Sequence, residues 1–246
     1  MALIPLLLLA VLLPTSCHSA NMKVGIINGT EAKEHSRPYM VSIQYHKQHI
    51  CGGFLITDSF VMTAAHCASK IENRNWEDVT AVVGAHNLST NNFERIAVKE
   101  HYSHPNFSAP HNDIMLLKLG KSSANSRNTR CISIDVKRDR YSNCSVAGWG
   151  IKNDGMRSDV LREAKIRIIT DNCKLWWSFF NDSTMLCAGG RTSGICQGDS
   201  GSPLVCNNLA VGIVAFQEKD CFHPKQPNGY TRISAFLPWI NTILKK

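Results

Sequence analysis

The sequence lacks several features that define large classes of proteins. After residue 20, no apolar run is long enough to cross a bilayer. Neither the HExxH pattern of zinc hydrolases nor an EF-hand loop occurs, so neither a metal nor another cofactor is predicted. None of the common nucleic-acid-binding motifs is present, and internal repeats and low-complexity tracts are also missing. We therefore expect a soluble globular protein after removal of its leader.

The leader is the short Leu-rich run "MALIPLLLLAVLLP", which is followed by the small residues "TSCHSA". About fourteen apolar residues are too few for a typical membrane span and suit the apolar region of a signal peptide, although no Lys or Arg precedes them. We predict a signal peptide over residues 1–20, cleaved after Ser19 or Ala20, and an extracellular or secretory location.

Cysteine is abundant, with 10 residues in a chain of 246, and this usage fits an oxidising compartment. The formal net charge is +8, so association with acidic polymers such as sulfated glycans is a candidate property, against the alternative of a generic basic surface. Five Asn-x-Ser/Thr sites are potential glycan acceptors in a secreted chain. They are Asn28, Asn87, Asn106, Asn143 and Asn181.

Short strand-like runs such as "YMVSIQY", "DIMLLKL" and "LAVGIVAF" alternate with Gly, Asn, Ser and Pro clusters. This pattern predicts an all-β barrel or sandwich. The polar stretch 120–130 is a candidate connection between two halves. The tail "SAFLPWINTILKK" has apolar residues near helical spacing, which predicts a C-terminal helix with Ser234 as its N-cap.

Three motifs carry residues suited to chemistry: "TAAHC" with His66, "HNDIMLLKL" with Asp113, and "GDSGSP" with Ser200. Each motif alone is weak, because a single His or Asp beside a strand is more often structural. A serine hydroxyl is a poor nucleophile near neutral pH and needs a base within hydrogen-bond reach. Imidazole can act as that base because it titrates near neutrality.

Together, and in the order His, Asp, Ser, these motifs resemble the chymotrypsin-like serine proteases. "IING" at Ile26, "CGGFLI" at Cys51, "VAGWG" at Val146 and the late "PWI" extend the resemblance over residues 26–246. It implies two packed six-stranded antiparallel β-barrels with a C-terminal α-helix. The N-terminal barrel would span about 26–130 and the C-terminal barrel about 131–246. It also implies protein or peptide substrates and serpin-type inhibitors.

The resemblance assigns roles to the motif residues. Ser200 would attack the peptide carbonyl, His66 would take its proton and return it to the leaving amine, and Asp113 would orient His66. This Ser-His-Asp mechanism is the one that the family uses. The backbone N–H groups of Gly198 and Ser200 would bind the developing oxyanion.

The same resemblance implies activation by cleavage before Ile26, after which the new ammonium group would pair with Asp199. The propeptide would be residues 21–25. Gly25 is not the basic residue that trypsin-like activation requires, and both the short propeptide and "HSRPYMVSIQ" are similar to the granzyme and mast-cell branch, whose members are stored in granules and activated by an aminodipeptidase.

Disulfide pairing also follows from the resemblance, since eight cysteines allow 105 connectivities by spacing alone. The implied pairs are Cys51–Cys67, Cys144–Cys206, Cys173–Cys187 and Cys196–Cys221. Cys131 is left over. It is either a free, partly buried thiol, the partner of a retained Cys17, or an interchain link.

The residue six before the serine is Gly194, where trypsin-like members carry an aspartate. A basic guest would find no counter-charge in the pocket, so cleavage after Lys or Arg is not expected. Ile195 and Gln217 would narrow the pocket and Asn228 would add a neutral polar wall, which predicts Val, Ala, Ile or Met before the cut. The other pocket residues implied by the resemblance are Gln197, Ala215 and Phe216.

Alternatives remain at this stage. A chymase-like preference for Phe, Tyr or Leu would follow if Gly194 opens the pocket in depth, and the basic Lys219 and Lys225 leave acidic substrates open. Ala215 replaces a serine that contacts the catalytic aspartate in the family, so about 1 kcal/mol of hydrogen bonding is expected to be lost. A catalytically dead cationic binding protein on the same fold is the hypothesis from another class.

Overall fold

The structure is a computed structural model that describes residues 26–137, 141–190 and 193–246. The predicted signal peptide, the propeptide and Cys17 lie outside these residues. Within them, no helix is both long and apolar enough to cross a membrane.

Six strands form a closed antiparallel barrel in the N-terminal half, in the order β2-β3-β4-β7-β6-β5. Their apolar residues point inward and make the largest core cluster of the protein, around Phe54, Leu55 and Met62. The strands are β2 (Met40–Tyr45), β3 (Gln48–Thr57), β4 (Phe60–Thr63), β5 (Val79–Val83), β6 (Glu94–Ser103) and β7 (Met115–Leu119).

The C-terminal half contains an eight-stranded antiparallel sheet in the order β1-β9-β8-β12-β13-β14-β11-β10. Its two edge strands have two residues each, and six longer strands lie between them. The strands are β1 (Thr30–Glu31), β8 (Cys144–Gly148), β9 (Arg162–Ile166), β10 (Ile168–Ile169), β11 (Met185–Ala188), β12 (Pro203–Cys206), β13 (Leu209–Phe216) and β14 (Asn228–Arg232). The predicted all-β class and trypsin-like fold are therefore confirmed, and β1 carries the start of the described chain across to the C-terminal sheet.

Helices are few and short. They are α1 (Cys173–Trp176), α2 (Leu237–Ile243) and the 3₁₀ segments Ala65–Lys70, Glu72–Arg74, Trp76–Asp78 and Ile233–Phe236. The predicted C-terminal helix is present, but Ser234 as its N-cap is wrong, because Ser234 lies inside the preceding 3₁₀ turn. Pro238, which has no N–H to leave unsatisfied, occupies the first turn of α2.

Helix α2 holds the two halves together. Its Ile240 and Ile243 are buried in the core cluster of the N-terminal barrel, which also takes in Val205 and Ile213 of the C-terminal sheet. Burying such aliphatic side chains stabilises the fold by about 1.5–3 kcal/mol each. The interface between the halves is therefore a continuous apolar core.

Four disulfides brace this frame, in the pairs that the family resemblance implies. Cys131 is a free, partly exposed thiol whose Sγ lies 3.4 Å from Asp58 Oδ1. Burial, together with the Asp58 carboxylate, raises the pKa of the Cys131 thiol to about 11. The thiol is therefore protonated at neutral pH and a poor nucleophile.

Candidate active site

A short hydrogen bond joins two of the three motif residues. The distance between His66 Nδ1 and Asp113 Oδ2 is 2.6 Å, and the backbone N–H of His66 donates to Asp113 Oδ1 at 2.8 Å. The Asp113 side chain is 2% exposed and the His66 side chain 22% exposed. A buried carboxylate with two such donors can hold one imidazole nitrogen protonated and leave the other facing solvent.

The pairing of β4 with β7 brings these two residues next to each other. His66 lies in the first turn of the 3₁₀ segment that follows β4, and Asp113 lies just before β7, the strand paired with β4. Thr231 of β14 donates its hydroxyl to the backbone oxygen of Asp113 at 2.9 Å. Both halves of the molecule therefore fix the position of the aspartate.

Ser200 lies on the turn between Gly194 and β12. Its backbone oxygen accepts a hydrogen bond from the N–H of Gly52 at 2.8 Å. The Cys51–Cys67 disulfide ties that part of β3 to the residue after His66. No hydrogen bond joins the Ser200 hydroxyl to the His66 ring among the described residues, and such contacts are often long in the absence of substrate.

Two glycines around Ser200 are required by space and by backbone conformation. Gly201 has φ +82°, and a Cβ there would lie 2.1 Å from the hydroxyl oxygen of Thr63. Gly198 has φ +100°, and a Cβ there would lie 2.9 Å from the Cα of Gly150. Left-handed backbone of this kind favours glycine.

The N–H groups of Gly198 and Ser200 make no backbone hydrogen bond within the described residues. His49 lies behind this turn, with its Nε2 2.9 Å from the Gly198 oxygen and its Nδ1 2.8 Å from the hydroxyl of Ser42. Burial lowers the pKa of His49 to about 4, so its ring is neutral near pH 7. No sequence motif pointed to His49, because its partner in the turn is 149 residues away.

Asp199 is completely buried beside this turn. Its two carboxylate oxygens accept hydrogen bonds from the N–H groups of Gly150 and Cys196, both at 2.9 Å. Burial raises the pKa of Asp199 to about 7. The buried carboxylate therefore lacks a cation close enough to offset its desolvation.

Ile26 and Ile27 lie close to the predicted pocket. Ile26 is completely buried and clusters with Ile195, and the oxygen of Ile27 accepts a hydrogen bond from the Gly194 N–H at 3.2 Å. The start of the described chain is therefore packed against the segment that leads to Ser200.

The remaining pocket residues fall into two groups. Gly194, Ile195 and Asn228 are buried, and a Cβ at Gly194 would lie 2.4 Å from Asn228 Nδ2. Ala215, Phe216 and Gln217 are half-buried at the end of β13, and Gln197 is exposed. The Phe216 ring covers the backbone of Gly229 and stacks edge-on against Trp177 and Phe179. Sequence reasoning had not included these two aromatic neighbours.

One group of potential metal ligands occurs in the described part of the chain: Cys51, His66 and Cys67. Its two sulfur atoms are bonded to each other in a disulfide, so they do not offer thiolates. This group therefore does not fit a metal ion.

Comparison with known proteins agrees with this geometry. The sequence model of the family described as Trypsin matches residues 26–240. Human cathepsin G is 35% identical, with 98% of this chain and 94% of cathepsin G covered. Dog chymase is 36% identical over 99% of this chain and 98% of its own length, and rat granzyme M is 36% identical over 89% of each. Neuropsin, a serine protease expressed in the limbic system of mouse brain, superposes with a TM-score of 0.79 at 28% identity, covering 88% of this chain and 99% of neuropsin.

Proposed function

The chain belongs to the trypsin family of serine proteases and is a serine endopeptidase, and from that premise we propose that it works through a Ser200–His66–Asp113 triad. The observation that carries this proposal is the 2.6 Å hydrogen bond between the buried Asp113 and His66, next to the turn that holds Ser200. His66 takes the Ser200 proton during attack on the peptide carbonyl and returns it to the leaving amine. Asp113 keeps His66 in the correct tautomer and stabilises the imidazolium.

The acyl-enzyme step generates negative charge on the carbonyl oxygen. We assign its stabilisation to the N–H groups of Gly198 and Ser200, which have no backbone acceptor among the described residues. The contact between His49 and the Gly198 oxygen supports this assignment, because it anchors the Gly198–Asp199 peptide, which lies between the peptides that carry the two N–H groups.

Activation by cleavage before Ile26 is the second element of the proposal. The raised pKa of Asp199, about 7, is what a buried carboxylate without a counter-charge should have. A free ammonium group on Ile26 would supply that counter-charge next to the oxyanion turn. The positions of Ile26, Gly194 and Asp199 therefore support an activation switch. Before cleavage, the leader and propeptide keep the Ile26 nitrogen in a peptide bond, so that it carries no charge to pair with Asp199.

We propose small or medium aliphatic residues before the cut: Val, Ala, Ile or Met. The buried Asn228 amide lies where a residue-194 side chain would begin, which supports a shallow pocket with no charge to pair with Lys or Arg. A chymase-like preference for Phe, Tyr or Leu remains the rival, and chymases are among the relatives. Profiling a peptide library with protein that begins at Ile26 decides between them, and strong cleavage after Lys or Arg would overturn both.

The triad itself is tested with Ser200→Ala, which should lower kcat/KM by at least about 10⁴-fold while the protein stays folded. Ser122→Ala, in an exposed loop, is the matched control and should retain full activity. Labelling by a fluorophosphonate also separates an active protease from a dead binding homologue. Equal cleavage by Ser200→Ala and the unmodified protein would refute the triad.

Two classes of partner and a location complete the proposal. Granule storage and secretion follow the cathepsin G, chymase and granzyme relatives, and a serpin-type inhibitor of matching specificity should form a covalent complex at Ser200. Sulfated glycans are proposed for two adjoining cavities of about 890 and 1110 Å³, whose lining has five basic residues and one acidic residue. These charged residues are Lys33, Arg37, Arg130, Lys165, Arg167 and Glu163. Retention on a heparin column that drops for Lys165→Gln/Arg167→Gln would support this site.

A further inference from the structure

Two exposed basic residues contact the first half of β3, beside the turn of Ser200. Lys70 donates from its Nζ to the backbone oxygen of Ile50 at 2.9 Å, and the Arg157 guanidinium donates to the backbone oxygen of His49. The Arg157 charge acts directly on the Lys70 ammonium group, so the two cations lie near each other. Neither side chain belongs to the candidate triad or to the pocket around Gly194.

This part of β3 contacts the Ser200 turn, and the Cys51–Cys67 disulfide links it to the residue after His66, so we take it as the wall of the cleft on the His66 side. His49 touches the Gly198 oxygen, and Gly52 donates to the Ser200 oxygen. The pocket residues Gly194 and Asn228, in contrast, are supplied by the C-terminal sheet and the turn before Ser200. Since His66 gives its proton to the leaving amine, the residues after the scissile bond must pass along the β3 wall.

The two cations have no acidic partner of their own. Neither Lys70 nor Arg157 forms an ion pair with any residue that the structure describes. The carboxylates that act electrostatically on Lys70 are Asp113 and Asp199, which are 1% and 0% exposed and already accept backbone hydrogen bonds.

Partial burial and the neighbouring Arg157 charge lower the pKa of Lys70 to about 8. The ammonium group is therefore still mainly charged at pH 7, but at a cost that a nearby anion would remove. Two adjacent cations of this kind attract a carboxylate that approaches along the cleft.

We propose that Lys70 and Arg157 form a subsite for an acidic residue within the first three positions after the scissile bond. The protease then prefers Asp or Glu after the scissile bond, in addition to the proposed aliphatic residue before it. This inference rests on the proposed endopeptidase function and extends it, because it names the chemistry of the substrate on a side of the cleft that the Gly194 pocket does not touch.

The test uses the protein beginning at Ile26 and fluorogenic peptides with one fixed residue before the cut. Each of the first three positions after the cut is varied among Asp, Asn, Glu and Gln. Exposed ion pairs contribute about 0.2–1 kcal/mol each, so we expect the best acidic position to exceed its amide counterpart by about three- to tenfold in kcat/KM. The same acid–amide pair placed before the cut should differ by less than about twofold.

Lys70→Gln and Arg157→Gln should each reduce the preference, and the double variant should bring the acid-to-amide ratio close to one. Lys152→Gln is the matched control, because Lys152 lies in the same loop as Arg157 but is already paired with Asp154 at 2.6 Å. All rates are normalised to active sites titrated with a fluorophosphonate, so that a variant with a smaller folded fraction is still compared correctly.

Two results would overturn the inference. Cleavage of the peptides without an acidic preference, or a preference that survives in the double variant, would refute the subsite and leave the endopeptidase assignment intact. Failure to cleave any peptide or to react with the fluorophosphonate would refute the endopeptidase assignment and the subsite with it.

Discussion

In the proposed pocket, Gly194 is the position that would exclude a whole class of substrate, those with Lys or Arg before the cut. Its missing side chain removes the acid that a Lys or Arg guest would need, and the buried Asn228 amide fills the space above it. The Asn228 amide thus occupies part of the space that Gly194 leaves in the pocket. Specificity here belongs to the pair and not to either residue alone.

This coupling predicts the outcome of changing the pocket charge. Gly194→Asp should destabilise the protein by about 1–3 kcal/mol, because its Cβ would lie 2.4 Å from Asn228 Nδ2, and it should gain little cleavage after Lys or Arg. Gly194→Asp combined with Asn228→Gly should recover stability and cleave after Lys or Arg. Thermal unfolding and library profiling measure the two effects. Gly194→Ala, which has the clash without the charge, is the control, and an unstrained, fully tryptic single variant would contradict the argument.

Ala215 is a second position where a single side-chain atom, the hydroxyl oxygen that a serine would carry, should affect activity. The Asp113 carboxylate accepts hydrogen bonds from the His66 backbone and ring. The family resemblance implies that a serine hydroxyl at position 215 would add a third donor. We expect Ala215→Ser to raise kcat up to about fivefold, corresponding to about 1 kcal/mol. Ala215→Cys, of similar size but a weak donor, is the matched control. A serine variant no faster than the cysteine variant would show that the lost donor is irrelevant.

Strand β3 is the element on which the site depends most. It supplies the His49 contact to Gly198, the Gly52 contact to Ser200, and the disulfide to the residue after His66. A single strand of the N-terminal barrel therefore positions both the proposed base, His66, and the proposed oxyanion turn of the C-terminal half. Its flexibility would be transmitted directly to the catalytic geometry.

The buried, neutral state of His49 should make the fold less stable in acid. The pKa of His49 is lowered from 6.5 to about 4 in the folded protein by burial, so the unfolded chain takes up the proton first. The stability from neutral His49 is fully present above about pH 6.5 and is lost as the pH falls toward 4. His49→Gln should flatten this part of the pH dependence of thermal unfolding, whereas His223→Gln, at an exposed site, should not. An unchanged curve for His49→Gln would contradict the argument.

Elements differ in how far the sequence reveals them. Short apolar runs bounded by Gly, Asn, Ser and Pro clusters predicted the strands, because strands such as β2, β4 and β12 are buried along almost their whole length. The C-terminal helix was predicted by its apolar spacing. Its start was not, because Ser234 is taken up by a 3₁₀ turn. The motifs of His66, Asp113 and Ser200 were readable, but His49, Lys70 and Arg157 were not. Their roles arise from contacts across 20 to 149 residues of chain, which no local pattern encodes.

At the scale of the whole molecule, the main electrostatic feature is the buried carboxyl group of Asp199. Two halves share one apolar core, yet a buried carboxylate, Asp199, lies beside the Ser200 turn, and the charges of Lys70 and Arg157 do not offset its desolvation. In the proposed precursor this carboxylate is therefore desolvated without full compensation, and we propose that the ammonium group of Ile26 supplies the missing charge after cleavage. The proposed cleavage before Ile26 changes a global property of the protein, the pH dependence of its stability, through this one group.

The comparison of two forms of the chain tests that coupling. In the form that begins at Asn21, Asp199 keeps its proton up to about pH 7, whereas the unfolded chain loses it near pH 4, so stability falls as the pH rises between these values. In the form that begins at Ile26, the ammonium group holds Asp199 ionised, and this loss should disappear. The mature form should therefore gain in unfolding temperature relative to the longer form from pH 4 to 7. Its advantage should decline above about pH 8, as the α-amino group loses its proton.

His49 is common to both forms, so its titration cancels in the difference between them. Asp199→Asn in both forms is the control that removes the carboxylate, and it should make the difference in unfolding temperature independent of pH. A difference that is already flat in the unmodified pair would mean that Ile26 and Asp199 do not interact after cleavage. The activation switch would then have to act through the contacts of Ile27 with Gly194 instead, because those are the other backbone link between the new terminus and the pocket.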